Sequence, residues 1–312
     1  MQLTHDSDSA AFPPSLNTEA LTKSLLSTAL SRRNDPALAS MPGQPIVAYR
    51  DQAGETGCAI YRPSAGVMLA GRKRSIIGER VYEYGAGDLL VTALDMPAVW
   101  QVLDASPEHP FIAVSLGISD ELIRELLPSV PVRPGGDDAQ AAYRCRADPD
   151  LLDAYQRLLH LSDRPADIPV VAPMIVREIH WRLLCGPWGE CLRRLFTADT
   201  LTNRITKAVA WLQENFREPL EVDRLASYVH MAPSTFYRHF KVVTSLSPLQ
   251  YQKQLRLNEA RRLMIATGAD AATAAYGVGY VSATQFSRDY KRHFGAPPRA
   301  SVSGILRGTL RA

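Results

Sequence analysis

Two stretches decide the fold: Ser234-Thr235-Phe236-Tyr237-Arg238-His239-Phe240-Lys241 and Thr284-Gln285-Phe286-Ser287-Arg288-Asp289-Tyr290-Lys291. At an offset of 50 they align Phe236 with Phe286, Arg238 with Arg288, Phe240 with Tyr290 and Lys241 with Lys291. Upstream, Leu225-Ala226 and Val229-His230-Met231 correspond to Ala274-Ala275 and Val278-Gly279-Tyr280, with one extra residue in the second turn. The spacing predicts an internal duplication of a helix-turn-helix unit.

A helical wheel shows what each copy is built to do. At 100° per residue Phe236, Phe240 and Val243 fall within about 40° of one direction, while Ser234, Arg238 and Lys241 point the other way. Phe286 and Tyr290 form the packed face of the second copy, with Thr284, Arg288 and Lys291 outward. A helix that enters the DNA major groove needs small polar residues to sit deep and an Arg to reach guanine edges or phosphate. The candidate DNA-contacting residues are therefore Ser234, Thr235, Tyr237, Arg238 and Lys241 in the first copy, with Ala283, Thr284, Gln285, Arg288 and Lys291 in the second. Two ordinary amphipathic surface helices would share the apolar pattern, but nothing would make them repeat the same outward Arg and Lys.

Between the copies, Ser247-Pro248 has the pattern of an N-cap and first helical position, opening a helix that runs through Ala266 and stops at Gly268. Such a rod is about 28 Å long, close to the ~34 Å that separates successive major-groove openings on one face of a duplex. Ile205, Ala208, Val209 and Leu212 give the preceding helix the stripe that completes the first bundle.

Charge follows the same division. From Asp199 to Ala312 there are 16 Lys and Arg against 8 Asp and Glu, a net of +8, whereas residues 1 to 198 carry −5. By itself a basic C-terminal third suits either a polyanion partner or no more than a solvated surface; with two groove-entering helices beside it, the expected partner is double-stranded DNA.

Outward from there the pattern changes. Residues 44–116 hold eight short β-type runs: Ile46–Tyr49, Cys58–Tyr61, Val67–Ala70, Ser75–Ile77, Val81–Tyr84, Leu89–Thr92, Trp100–Leu103 and Phe111–Leu116. Runs at this spacing predict an antiparallel sandwich or barrel, with Gly85-Ala86-Gly87-Asp88 as one of its turns. After residue 118 the period is helical. Leu122, Ile123 and Leu126 make a short stripe, and Leu151, Leu152, Tyr155, Leu158 and Leu159 a longer one. Pro173 is expected to open a helix with Ile175, Ile179 and Leu183 aligned, ended by Gly186-Pro187, with Trp188–Phe196 as the linker. Leu21, Leu25, Leu26 and Ala29 mark one accessory helix in an otherwise flexible start.

At 312 residues, 46% hydrophobic and 21% charged, the chain is long enough for two cored domains, which excludes a disulfide-stapled miniprotein and a disordered chain. No basic and apolar leader pattern opens it, so the expected location is the cytoplasm, without a membrane partner. Cys58, Cys145, Cys185 and Cys191 lack paired spacing. They are expected as free, partly buried thiols, with a redox or metal-sensing pair at Cys185 and Cys191 as the alternative.

These residues together resemble the AraC/XylS family of bacterial transcriptional regulators. The resemblance covers residues 201–300 and includes Ser247-Pro248-Leu249-Gln250-Tyr251, Leu255-Arg256-Leu257, Glu259-Ala260-Arg261-Arg262-Leu263, Val278-Gly279-Tyr280, Ser282, Phe294-Gly295 and Pro297-Pro298. Two positions depart from the family pattern. Ala232 stands where the first recognition helix usually has a Ser N-cap, and Ser245 where a Gly is common. More loosely, Tyr82-Glu83-Tyr84-Gly85-Ala86-Gly87-Asp88 resembles the cupin-type sensor domain of one branch of the family. The resemblance implies an α+β chain: a start over 1–40, a cupin-like sensor and dimerisation domain over 41–190, a linker over 191–200, a double helix-turn-helix domain over 201–300, and a tail over 301–312. It also implies a homodimer, contact with RNA polymerase and control by a small-molecule effector, with no cofactor.

Two other classes compete. A cupin enzyme needs two or three His plus a Glu converging in the barrel, but between residues 40 and 130 the only His is His109, in a turn. An architectural DNA binder without ligand also fits, since Met68, Tyr82, Tyr84 and Trp100 suit an apolar core as well as a pocket.

Overall fold

The computed structural model describes residues 16–131 and 140–309. The flexible start expected before residue 16 and the last residues of the expected tail lie outside them. The chain divides into two compact units, the first made of residues up to Gly57 with Tyr61–Asn203 and the second of residues from Arg204 on, with the short stretch Cys58–Ile60 grouped with the second.

In the N-terminal unit all eight expected strands form: β1 (Ile46–Arg50), β2 (Thr56–Tyr61), β3 (Ser64–Ala70), β4 (Arg72–Ile77), β5 (Arg80–Gly85), β6 (Asp88–Thr92), β7 (Met96–Asp104) and β8 (Phe111–Gly117). A ninth, β9 (Ala142–Arg146), was not expected. They make two sheets, ordered β1-β8-β3-β6-β9 and β2-β7-β4-β5, with antiparallel registers such as Val67 opposite Val114 and Ser75 opposite both Tyr82 and Trp100.

Burial separates the sheets. β3 and β6 are buried almost without alternation, as expected of strands covered on both faces. Helices α1 (Leu16–Arg32) and α3 (Pro149–His160) supply that second cover: the Tyr155 hydroxyl donates to the Ala65 carbonyl at 2.6 Å. Leu25 and Ala29 of α1 are fully buried, so α1 is integral to the unit and not accessory. The smaller sheet alternates, with Ser75 and Ile77 of β4 inward and Ile76 exposed.

β9 was hidden because Arg144 and Arg146 break its apolar run. Both point outward at the sheet edge and pair with Asp88, at 3.6 and 3.1 Å, while Tyr143 is buried. Charged side chains on an edge strand also discourage pairing with another chain. At the β5–β6 turn Gly87 has φ +81°, and a Cβ there would meet the Arg146 guanidinium at 2.4 Å.

Two helical expectations need correction. Pro173 lies inside α4 (Ile168–Cys185), whose opening proline is Pro169; a first-turn proline forfeits no internal bond, and Pro173 forfeits only the bond to the Pro169 carbonyl. The expected linker is largely a helix, α5 (Gly189–Phe196), with Cys191, Leu192, Leu195 and Phe196 buried and Trp188 stacked on Tyr143 at 4.9 Å. A short amphipathic segment carries too few turns to show its period in sequence.

Between them, α2 (Asp120–Leu126) is capped by Ser119, whose side chain accepts the Leu122 N–H. The Ser119 N–H is in turn held by Nε2 of His180, fully buried on α4, at 2.9 Å, and His180 Nδ1 lies 2.7 Å from the Val176 carbonyl. Nε2 accepting and Nδ1 donating is the pattern of a neutral imidazole, and burial lowers the pKa of His180 accordingly. All four cysteines are free.

The C-terminal unit is helical: α6 (Leu201–Asn215), α7 (Val222–Tyr228), α8 (Pro233–Thr244), α9 (Pro248–Thr267), α10 (Ala271–Gly277), α11 (Ala283–Phe294) and α12 (Pro298–Thr309). Ile205, Ala208, Val209 and Leu212 of α6 are buried, as their spacing predicts. The expected boundary at residue 300 falls inside α12.

Candidate nucleic-acid interface

The duplication is visible turn by turn. α8 and α11 are both 12 residues long and begin 50 residues apart. Within the turns, Met231 N–H bonds the Ala226 carbonyl at 2.9 Å and Tyr280 N–H bonds the Ala275 carbonyl at 3.0 Å. The left-handed position that each turn requires is filled by His230 (φ +55°) in the first copy and Gly279 (φ +89°) in the second. Gly279 has a second reason to be glycine, since a Cβ there would lie 2.0 Å from the Arg217 carbonyl oxygen.

The aromatic pairs also repeat. Phe236 and Phe240 meet at 5.5 Å and 55°, Phe286 and Tyr290 at 5.5 Å and 59°, with all four rings fully buried. Tyr251 closes the first cluster edge-on against Phe240 at 5.7 Å, and Tyr280 closes the second against Phe286 at 5.3 Å.

Helix ends distinguish the copies. Ser282 caps α11 by accepting the Gln285 N–H at 3.3 Å, whereas Ala232 offers α8 no side-chain cap, leaving Pro233 to set its first turn. α11 ends on Gly295 at φ +79°, and α8 on Ser245 at φ +59°, the left-handed position expected there.

α9 joins the copies. Its capping box, Ser247 with Gln250, opens 20 residues that close on Gly268 in the left-handed region. Mid-helix, Arg256 Nε donates to the Phe216 carbonyl at 2.6 Å, Nη2 to those of Arg217 and Glu218 at 3.0 and 2.8 Å, and Nη1 to that of Gly279 at 2.9 Å. Gln252 adds bonds to Phe216 and Glu218 at 3.1 and 2.7 Å. One guanidinium thus satisfies carbonyls of the α6–α7 connection and of the second recognition turn together. Asp289, buried on the inner side of α11, pairs with Lys253 of α9 at 3.4 Å and with Arg292. Sequence reasoning passed over both Arg256 and Asp289. The available signals were an Arg set between two apolar positions of the rod, Leu255 and Leu257, and an Asp in the recognition repeat where the first copy has His239.

The six residues that the wheel turns outward, Ser234, Arg238, Lys241, Thr284, Arg288 and Lys291, are all exposed. Of the other predicted contact residues, Tyr237 and Gln285 are exposed and Thr235 and Ala283 half-buried. The side chains of Arg238, Lys241, Arg288 and Lys291 make no ion pair or hydrogen bond among the described residues, in contrast to those of Arg256, Arg262 and Arg292, which are committed to internal partners. Four unpaired cations repeated on two solvent faces form a surface suited to a polyanion. Of the suggested pocket residues, Met68 and Tyr84 are buried, and Tyr82 and Trp100 are half-buried.

Two helix-turn-helix units on one central rod, carried with an N-terminal two-sheet unit, define a two-part chain of the double helix-turn-helix class. Residues 41–191 match the AraC-type transcriptional regulator N-terminus and residues 225–302 a helix-turn-helix domain, so the two parts of the chain are similar to those of AraC-type transcriptional regulators. Over 101 residues it is 35% identical to the HTH-type transcriptional regulator GbdR of Pseudomonas aeruginosa, covering 32% of this chain and 28% of GbdR. Over 169 residues it is 27% identical to the transcriptional activator RhaS of Salmonella schwarzengrund, covering 53% and 59%. The matches thus span from under a third to about three fifths of these relatives. In fold it is similar to ToxT of Vibrio cholerae, with a TM-score of 0.57 at 12% identity over 83% of this chain and 97% of ToxT; another ToxT structure, at a TM-score of 0.54 and 9% identity, has unsaturated fatty acid bound. Among the described residues no helix is long and apolar enough to cross a membrane, and no group of three or more His, Cys, Asp or Glu is placed to hold a metal.

Proposed function

We propose that this chain is a sequence-specific transcriptional regulator whose α8 and α11 enter successive major grooves of one DNA site under the control of a small molecule bound by the N-terminal unit. The observation that carries it is the pair of outward faces, Ser234, Thr235, Tyr237, Arg238 and Lys241 on α8 and Ala283, Thr284, Gln285, Arg288 and Lys291 on α11, offered on matched scaffolds with their cations unpaired. At 20 residues α9 is about 30 Å long, near the ~34 Å groove repeat. The sensor role is supported by the family match of residues 41–191 and by the fatty acid bound in ToxT. The proposal includes a cytoplasmic location, a homodimer, contact with RNA polymerase and no enzymatic activity. For the dimer, Val170 and Met174 on α4 are 67% and 66% exposed, beside a groove of about 530 Å³ between α3 and α4.

The experiment is selection of bound sequences from random DNA by the full chain, followed by a salt titration on the selected site. The expected result is a site with two boxes about one helical turn apart and a log affinity falling linearly with log salt. Absence of any enriched sequence, or affinity independent of salt, would refute it.

A further inference from the structure

The sandwich of the N-terminal unit encloses a cation that packing alone does not call for. β4 alternates, and Lys73 shares the inward side with Ser75 and Ile77, opposite Tyr84 on β5 and Val102 on β7. An inward position on a half-buried strand ordinarily takes an apolar residue. The Lys73 ammonium instead lies 4.6 Å from the ring centre of Trp100, 5.6 Å from that of Phe111 and 5.8 Å from that of Tyr61. Trp100 also carries Arg50 on its ring at 5.5 Å, and Arg50 pairs with Glu55 at 3.0 Å. Among the described residues Lys73 has no ion pair or hydrogen bond. Burial, then the like charge of Arg50, pull its pKa down to about 8 against the weaker opposite pull of Glu55. Next to it runs a line of hydroxyls: Tyr61 to Ser75 at 2.9 Å and Ser75 to Tyr84 at 2.6 Å.

Arg50 and Glu55 pair at the rim, with about two fifths of each side chain exposed, which leaves half-buried Lys73 as the one uncompensated positive charge of the cluster. Ring faces offset part of the cost of its burial, but an anion relieves it directly, because a buried charge is stable when paired and hydrogen-bonded. The surrounding rings require the rest of the occupant to be apolar, and a single ammonium beside neutral hydroxyls matches one carboxylate better than a multiply charged phosphate.

We infer that Lys73, flanked by Arg50, is the anchor for the carboxylate of a small monocarboxylic effector whose apolar body lies against Tyr61, Trp100 and Phe111. This rests on the sensor role proposed above for the N-terminal unit, and it names the class of ligand and the residue that reads it.

The test follows thermal unfolding of the full chain with 3-phenylpropanoate and octanoate, each against its alcohol and amine analogue, in wild type, Lys73→Met and Lys73→Gln. A ligand that binds only the folded state raises the midpoint with concentration. The expected result is that at least one carboxylate stabilises the wild type while its alcohol and amine do not. In both variants that carboxylate binds roughly ten- to a hundredfold more weakly, with Lys73→Met as stable as wild type when unliganded. The titratable groups around the ammonium are Arg50 on β1, Glu55 in the β1–β2 turn, Tyr61 on β2 and Tyr84 on β5, and burial keeps Tyr84 neutral. Wild-type carboxylate affinity should therefore fall above about pH 8 as Lys73 deprotonates, and that fall should be missing in both variants. The inference is overturned if neither carboxylate stabilises the wild type, if the alcohols stabilise it equally, or if a folded variant keeps wild-type affinity. DNA selection with the wild type, run with and without the stabilising carboxylate, separates the two proposals: a wild-type chain that binds carboxylate through Lys73 but enriches no DNA sequence in either condition sinks the regulator and leaves the anchor standing.

Discussion

Arg256 Nη1 donates to the Gly279 carbonyl at 2.9 Å while the same guanidinium holds three carbonyls of the α6–α7 connection. That contact makes the second recognition turn and the base of the first unit share one rigid support. Lys at this position offers a point charge in place of a planar fork. Arg256→Lys should lower the stability of the helical unit by about 1–3 kcal/mol. It should also flatten the dependence of DNA affinity on the spacing between the two boxes, measured on sites re-spaced by single base pairs. A variant that loses stability but keeps the wild-type spacing preference would show that Arg256 supports the fold without fixing the two readers.

The outward cations differ in expected role. Arg238→Ala and Arg288→Ala should each cost about 1–3 kcal/mol of specific binding and relax base preference in one box only. Lys241→Ala and Lys291→Ala should weaken binding to all sequences alike and reduce the salt slope by about 1. The check is a titration series against single-base variants of the selected site. Equal losses on every variant for the Arg substitutions would move sequence reading to Ser234, Tyr237, Thr284 and Gln285.

Equivalent positions in the two copies should respond unequally. Gly279→Ala puts a Cβ at φ +89° and 2.0 Å from the Arg217 oxygen, and should cost at least about 2 kcal/mol. His230→Gly, at the matching turn, should change stability by less than about 1 kcal/mol. Ala232→Ser, which supplies the missing cap, and Ser245→Gly, which relieves a left-handed residue, should each add about 0.5–1 kcal/mol. Chemical denaturation of the helical unit reads all four.

Stability of the N-terminal unit should depend on the charge of His180. Burial holds its folded pKa below the ordinary histidine value of about 6.5. Below that pH the unfolded chain therefore binds more protons, and stability is lost as pH falls from there through the folded pKa. Protonation also removes the acceptor for the Ser119 N–H. His180→Gln keeps an acceptor and removes the titration. Its unfolding free energy should therefore decline less between pH 7 and pH 5 than that of the wild type, and parallel declines would discount the coupling.

Most of the C-terminal architecture was legible because it is written twice. Phe236 and Phe286, the Ser247-Pro248 start, Gly268 and even the left-handed Ser245 stand where local spacing and cap chemistry put them. The eight strands were legible for a similar reason, each being an apolar run between turn residues. β9 was not, because its two arginines answer to Asp88 some 60 residues away, and α5 was not, because its burial depends on Tyr143 and other distant partners. Lys73 and Arg256 show the same limit. A lysine in a strand and an arginine in a helix look like surface residues until the rings and carbonyls around them are placed.

The unpaired outward side chains of α8 and α11 have one further consequence. Among the described residues none of the four side-chain cations carries an internal bond, and the rings beneath them pack on the opposite face of each helix. Recognition and folding are therefore written on separate residues of the same helix. Such a scaffold can change its target one box at a time without passing through unstable intermediates, so selection, natural or in a library, can explore new operators from a fold that stays fixed.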